Sequence, residues 1–330
     1  MKNRIIPVIV GPTAVGKTKY AVQIARKLNG EIVSADSMQI YRFMDIGSAK
    51  PTEEEQAAAR HHLVDAVDPR EPFSVAQYRH MAKECIEDIF QRDKLPVISG
   101  GTGLYVNALI YDMDFSAPPA DLEQREKYRR TAEEKGPQYL HDILNDIDPD
   151  AAARIHPNNV RKVIRAIEAA KSGEKIPSFE TSFRSTLDYR CILIGLQRDR
   201  AELYDRINRR VDQMISDGLE DEIRSLMSMG LSSSDISMKG IGYKEMIDAM
   251  NGRITMEEAA ELIKRNSRRY AKRQMTWFRR YPDIRWFDLS ENSEMTCDAG
   301  AACSAERGGS EEEILSLILS YIREQSESFR

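Results

Sequence analysis

An α/β fold on a mostly parallel sheet is predicted by three features of this sequence. Short apolar runs without alternation recur, as strands buried on both faces require. Helical periodicities fill the spaces between them. The first run leads straight into a glycine-rich turn and a helix. That run, Ile5 to Val10, is short enough for a buried parallel strand. The helix after it should extend from about Lys17 to Leu28 and end at Asn29-Gly30 in a left-handed cap. Glu31 to Asp36 reads as a second strand, Leu95 to Ser99 as a third and Arg190 to Gly195 as a fourth.

Two turn-rich segments, Asp114 to Pro119 and Ser172 to Pro177, bracket a stretch that is helical in pattern throughout. Residues 117–180 are therefore expected to form an all-helical insertion domain, with the core contributed by 1–116 and 181–289. Asp199-x-x-Glu202 resembles a capping box opening a helix to about Asp217. Another long helix should run from about Thr255 towards Tyr281. Residues 290–310, rich in Ser, Gly, Ala and acids, read as a flexible linker. Ile314, Leu317, Ile318 and Tyr321 mark an amphipathic helix within 311–330.

The chain has 330 residues, 41% apolar and 31% charged, with a formal net charge of −5. Such a composition excludes wholesale disorder. No apolar run approaches the roughly 20 residues of a membrane helix, and the first one is too short for a signal peptide. Cys85, Cys191, Cys297 and Cys303 include no Cys-x-x-Cys pair, so neither a disulfide framework nor a zinc ribbon is expected. A soluble, cytoplasmic, monomeric protein without a membrane partner is expected. The acidic total hides a basic stretch: Lys264 to Arg285 holds nine Lys and Arg residues against Asp283 alone.

Gly11-Pro12-Thr13-Ala14-Val15-Gly16-Lys17-Thr18 fits the phosphate-loop pattern, with a strand before and a helix after. Its glycines let backbone N–H groups turn inward around a polyphosphate at a helix N-terminus. Lys17 supplies a point charge and Thr18 a hydroxyl suited to Mg²⁺. The core is thus P-loop NTPase-like. The motif alone leaves kinase, ATPase, switch and diphosphate transferase open.

Asp36, Ser37, Met38, Gln39 and Tyr41 cluster where the second strand runs out, the edge at which α/β sites lie. Asp36 reads either as a helix cap or Mg²⁺ ligand, or as a general base. The third strand ends in Gly100-Gly101-Thr102-Gly103-Leu104-Tyr105, where glycines clear space and Thr102 offers a hydroxyl. Arg206 and Arg210 are i and i+4 on the Asp199 helix and flank its apolar stripe, so they could lean towards the phosphate site or pair with Glu202 or Asp205. Arg265, Arg268, Arg269 and Lys272 recur at helical spacing, followed by Trp277, Phe278, Tyr281 and Trp286. That combination suits RNA phosphate and stacked bases, or a solvated helix over an aromatic core. Arg161, Lys162 and Arg165 make a smaller basic patch in the insertion. His61-His62-x-x-Asp65 lacks a third metal ligand and reads as structural.

Taken in order, the phosphate loop, Ser34-Ala-Asp-Ser-Met-Gln-Ile-Tyr41, Ile46-Gly-Ser-Ala-Lys-Pro51, His61-His-Leu-Val-Asp65 and Gly100 to Tyr105 resemble the bacterial tRNA dimethylallyltransferase family. Gly240-Ile-Gly-Tyr-Lys-Glu245 and Arg273-Gln-Met-Thr-Trp-Phe-Arg279 complete the set, and the resemblance covers about residues 4–289. It implies transfer of a dimethylallyl group from dimethylallyl diphosphate to N6 of adenine 37 beside the tRNA anticodon. The phosphate loop would then hold a diphosphate leaving group, with Mg²⁺, and the partner would be a tRNA anticodon stem-loop.

The resemblance further implies that Asp36 is the base and Thr102 a transfer-site residue, with Ser37, Met38, Gln39 and Thr102 against the target nucleotide. It maps an insertion-domain arginine to Arg125, favours Arg210 over Arg206 near the diphosphate, and places residues 161–165 and Lys239, Gly242, Tyr243 and Lys244 at the tRNA. Arg268, Arg269 and Lys272 join them as expected tRNA contacts from the basic helix. The family usually has arginine near 162, where this chain has Lys162, which weakens any bidentate contact. Adenylate dimethylallyl transfer to free AMP or ATP, a small-molecule kinase and a nucleotide-driven switch are the alternatives.

Overall fold

The computed structural model describes residues 4–113, 122–173, 184–290, 305–307 and 310–328. The first expected hinge, most of the second, most of the linker, Cys297 and Cys303 lie outside these residues. The fold divides into two compact units, 1–110 with 186–330, and 111–185. The expected insertion limits, 117 and 180, fall outside the described residues.

The larger unit begins with β1 (Ile5–Val10), α1 (Lys17–Lys27), β2 (Gly30–Ser34), α2 (Glu53–Ala58), β3 (His61–His62), α3 (Val75–Gln91), β4 (Leu95–Gly100) and α4 (Gly103–Ile110). The smaller unit holds α5 (Leu122–Lys135), α6 (Pro137–Ile147), α7 (Pro149–Arg154) and α8 (Val160–Lys171). The larger unit resumes with β5 (Arg190–Gln197), α9 (Arg200–Ser216), α10 (Leu219–Ser228), α11 (Tyr243–Met250) and α12 (Met256–Phe278). It ends with β6 (Arg285–Asp288), β7 (Glu306–Arg307) and α13 (Glu311–Glu327). The seven strands lie in the order β3-β2-β4-β1-β5-β6-β7, and every pair is parallel.

Continuous burial explains why β1 and β5 are legible: Ile6, Val8, Ile9, Val10, Ile192, Ile194 and Leu196 are all buried. One face of this sheet packs with α1 and α13 in a core that includes Ile9, Ile24, Ile194, Phe287 and Ile318. The expected left-handed cap after α1 is Asn29 alone, with φ 51°, while Gly30 already belongs to β2. The second strand stops at Ser34, two residues earlier than expected. There the Asp36 carboxylate accepts the N–H groups of Met38 and Gln39, which turns the chain away.

The expected box at Asp199 forms by half. Asp199 caps the N–H groups of Ala201 and Glu202, but Glu202 pairs with Arg198, and the N–H of Asp199 goes to Ser290. Reciprocal boxes close α2, α3, α12 and α13 instead, at Thr52, Ser74, Thr255 and Ser310. Each cap contributes about 1 kcal/mol.

The smaller unit packs Tyr128, Leu140, Leu144, Val163, Ile164 and Ile167 with four buried alanines. His141 Nε2 donates to the carbonyls of Ala152 and Ile155, tying α6 to the end of α7. Among the described residues no helix is long and apolar enough to cross a membrane.

Candidate active site

The turns that follow β1, β2, β4 and β5 all leave the carboxyl edge of the sheet, where parallel α/β folds bind ligands. Val10 is level with Gly100 and with Gly195, so these turns start side by side. The phosphate loop follows β1, Asp36 follows β2, Gly101 and Thr102 follow β4, and Arg198 follows β5.

In the phosphate loop Gly16 has φ +115°, a left-handed turn that delivers Lys17 and Thr18 into the first turn of α1. Lys17 Nζ donates to the carbonyls of Gly11 at 3.1 Å and Pro12 at 2.8 Å. Arg206 Nε donates to Ala14 O at 3.0 Å, and Arg198 Nε to Val15 O at 3.1 Å. Four loop carbonyls are thus drawn onto cations, which leaves the opposite, N–H side of the loop to face an anion. Of the expected alternative partners, Glu202 bonds Arg198 and Asp205 pairs with Arg209.

Burial pushes the Lys17 ammonium down to about 8; Asp36 works against that shift and Arg210 adds to it. Burial, followed by repulsion from Arg206, lowers Arg210, while Glu55 and Asp36 raise it. Much of the Arg210 surface is nonetheless open to water. The two observations together describe a guanidinium that solvent reaches although protein surrounds much of it. Solvent screening moderates its field but does not remove it.

Asp36 is half-buried. Its hydrogen bonds, from Met38 N–H at 2.9 Å and Gln39 N–H at 3.4 Å, both end on Oδ1. The capping role and a role for the second oxygen are therefore compatible. Thr102 Oγ1 accepts the N–H of Ser37 at 3.0 Å and lies 3.2 Å from Ser37 Oγ. The Gln39 amide is used internally, donating to Ala49 O. The Met38 methyl occupies the space where a side chain at Gly240 would stand.

Two residues on α12 that the sequence did not single out belong to this wall. Burial, then Asp36, pushes the Tyr270 hydroxyl up to about 12, with the side chains of Thr102 and Gln274 pulling the other way. Gln274 is buried and bonds both the phosphate loop and the β4 turn. The only sequence signal for Gln274 was the Arg273 to Arg279 motif, which names a segment and no role; Tyr270 lies outside it.

The expected basic face of α12 is split. Arg265, Arg269 and Lys272 are exposed, whereas Arg268 is turned onto α9, where it donates to Asn208. Phe278, Tyr281 and Trp286 are buried core residues, so the aromatic run is largely structural. Lys239 and Lys244 are exposed, but Gly242 and Tyr243 are buried.

Tyr243 corrects the expectation of an RNA-facing side chain. It is fully buried, its hydroxyl donates to Glu222 at 2.8 Å, and Glu222 in turn accepts the N–H groups of Asp45, Ile46 and Gly47. Its work is to seat that loop. In the smaller unit Arg161, Lys162 and Arg165 are exposed on α8. Arg125 is spent on a bidentate pair with Glu168, which clamps α5 to α8. His62 pairs with Glu31, His61 Nδ1 with Ala59 O, and Asp65 with Lys50. No group of three His, Cys, Asp or Glu suited to a metal occurs among the described residues.

The family model described as IPP transferase matches residues 39–281, starting just beyond Asp36. The tRNA dimethylallyltransferase of Alkaliphilus oremlandii is 53% identical over 304 residues, 92% of this chain and 96% of that protein. That of Clostridioides difficile is 50% identical over 291 residues, 88% and 94% of the two chains. The full-length tRNA isopentenylpyrophosphate transferase of Bacillus halodurans superimposes with a TM-score of 0.71 at 44% identity, covering 99% of this chain and 98% of that one. A eukaryotic dimethylallyltransferase acting on tRNA gives 0.75 at 28% identity, covering 88% and 75%. A phosphate loop walled by a carboxylate turn and a glycine-rich turn, together with matches of this length and identity, leads to one conclusion: the chain belongs to the IPP transferase family.

Proposed function

We propose that this protein transfers the dimethylallyl group of dimethylallyl diphosphate to N6 of adenine 37 in a tRNA anticodon loop, releasing diphosphate. One observation carries the reading. A carboxylate with one oxygen uncommitted, Asp36, stands within the electrostatic reach of Lys17 and Arg210, beside a loop that offers its N–H side to an anion.

The exocyclic amine of adenine is a poor nucleophile because its lone pair is delocalised into the ring. Transfer therefore needs the allylic C–O bond weakened and the amine proton removed. Loop N–H groups, Lys17 and Arg210 meet the charge that builds on the departing diphosphate. Asp36 accepts the proton as the new C–N bond forms. Its Oδ1, pinned by two backbone N–H groups, fixes the carboxylate and leaves Oδ2 for that task. Ser37 and Thr102, tied to each other, are proposed to line the base.

Thr18 offers a half-buried hydroxyl at the start of α1, and among the described residues no carboxylate cage accompanies it. That donor set fits Mg²⁺ carried in on substrate phosphates with water completing its shell. A bound ion there would neutralise diphosphate charge. Exposed Arg265, Arg269, Lys272, Lys239 and Lys244, and Arg161, Lys162 and Arg165 of the smaller unit, are proposed to bind RNA phosphates. Incubating the protein with dimethylallyl diphosphate, Mg²⁺ and unmodified tRNA, then analysing nucleosides by mass spectrometry, should reveal N6-dimethylallyladenosine. Its absence would falsify the proposal.

A further inference from the structure

Seven described residues other than glycine have a left-handed backbone. Asn29, Asp65 and Asp93 are of the types that adopt it most readily, and Ala14 and Ala49 carry only a methyl group. Leu63 is bulky, with φ 62°, but it is buried and its packing holds it there. Phe43 has φ 66° and leaves 51% of its surface exposed. A large aromatic in that conformation is strained, and an exposed ring recovers little of the cost by burial. For the fold alone, glycine would be the better residue at position 43.

The backbone around Phe43 is fixed from several sides. The N–H of Arg42 donates to Val67 O at 2.9 Å, and those of Asp45, Ile46 and Gly47 go to Glu222. Gln39 donates to Ala49 O, which folds this loop back against the turn that holds Asp36. Tyr243 packs on Gly47, where a Cβ would lie 2.6 Å from the ring. The loop is thereby joined to the segment that carries exposed Lys239 and Lys244, and exposed Arg42 precedes the ring itself. Nearby acids are engaged, Asp45 with Lys50 and Asp68 with Arg70. An exposed ring on a braced loop, in the company of cations, is what recognition of single-stranded RNA requires: a face for a base and charge for its phosphates.

We propose that Phe43 is a stacking platform for an unpaired base of the acceptor RNA, beside the turn that holds Asp36. The inference rests on the reading of the acceptor as a tRNA anticodon loop, and it adds a contact that holds the loop without touching the reacting atoms. The strain at Phe43 persists because the ring serves the ligand and not the fold.

The test compares wild type, Phe43→Gly, Phe43→Asn and Phe43→Trp in binding a fluorescent, unmodified anticodon stem-loop RNA, in denaturant unfolding and in steady-state transfer. Gly and Asn both suit the left-handed backbone and remove the ring. Each should weaken stem-loop binding about tenfold, within the worth of one base–aromatic stack. Their unfolding midpoints should be equal to or above that of wild type, and the KM for dimethylallyl diphosphate should not move. Phe43→Trp should bind as wild type does. RNA affinity unchanged in both Phe43→Gly and Phe43→Asn overturns the inference. So does a loss of affinity accompanied by a lower unfolding midpoint, which would make Phe43 a structural residue. Wild type that neither binds nor modifies the stem-loop sinks the tRNA reading itself, whereas wild type that does both, with variants that match it, sinks only the role of Phe43.

Discussion

The two ends of β2 carry one carboxylate each, and the fold treats them in opposite ways. Glu31, near the amino end, is 2% exposed and saturated: Arg92 binds both its oxygens, at 2.5 and 2.7 Å, and Lys94 and His62 each approach to 2.7 Å. Hydrogen bonds from Arg92 hold its carboxyl well below the usual range, against the opposing pull of burial, with Lys94 and His62 adding to the effect. Asp36, two residues past the carboxyl end, has cations in electrostatic reach, yet its hydrogen bonds come from backbone N–H groups on one oxygen. A carboxylate whose lone pairs are all used holds structure together. One whose second oxygen stays uncommitted is equipped to take a proton. The polarity of a parallel sheet decides which end gets which, because the carboxyl edge is where the turns open.

The sharpest way to break this contrast is to exchange the functions by substitution. Asp36→Asn keeps an oxygen for the Met38 and Gln39 N–H groups, so the turn should survive and thermal stability should be little changed. Turnover should fall by about 10²–10⁴-fold, the usual worth of a general base, while affinities for tRNA and dimethylallyl diphosphate stay within a few-fold. A variant with near-normal turnover would remove Asp36 from the chemistry.

Glu31→Gln should do the reverse, leaving turnover intact and costing about 1–3 kcal/mol in denaturant unfolding. The lower part of that range is favoured because Arg92 and Lys94, 33% and 38% exposed, can turn to water. The folded-state pKa of Glu31 is depressed, so its contribution is fully present above the unfolded pKa of about 4.3 and is lost as pH falls through the folded value. Stability curves of the wild type and Glu31→Gln should therefore converge as acid is added. Equal stability at neutral pH would mean that the saturated cluster is ornamental.

How far the sequence reaches follows the same geography. The phosphate loop is legible because all its working atoms come from eight consecutive residues, and backbone N–H groups need no partner elsewhere in the chain. Buried strands such as β1 and β5 are legible as unbroken apolar runs. Two-residue β3, two-residue β7 and four-residue β6 are too short to carry any period, and β6 hides behind the charges of Arg285 and Asp288. Gln274 was missed because its partner Thr13 lies 261 residues away, a pairing that no local pattern encodes. Tyr243 and Arg268 sit in a basic-looking context, and only packing shows that one is core and the other is bound to Asn208. Local chemistry is readable one residue at a time; a site wall assembled from α12 and two distant turns is not.

The smallest effect sharpens the contrast at the open end. Burial lowers Lys17 to about 8 in the ligand-free protein, whereas a diphosphate beside it must favour the charged form. Binding therefore takes up a proton above about pH 8, and pyrophosphate affinity should weaken as pH rises past that value, by on the order of fivefold to tenfold at pH 9. Pyrophosphate itself loses a proton in the same region and complicates the raw curve. Lys17→Arg supplies the control, since a guanidinium stays charged throughout and the ligand's own ionisation is common to both proteins. The difference between the two curves should open above pH 8 with the wild type weakening more. Parallel curves would mean that Lys17 is already stabilised in the empty cradle, as Glu31 is at the other end of the neighbouring strand, and that this edge of the sheet holds no charge in reserve for its ligand.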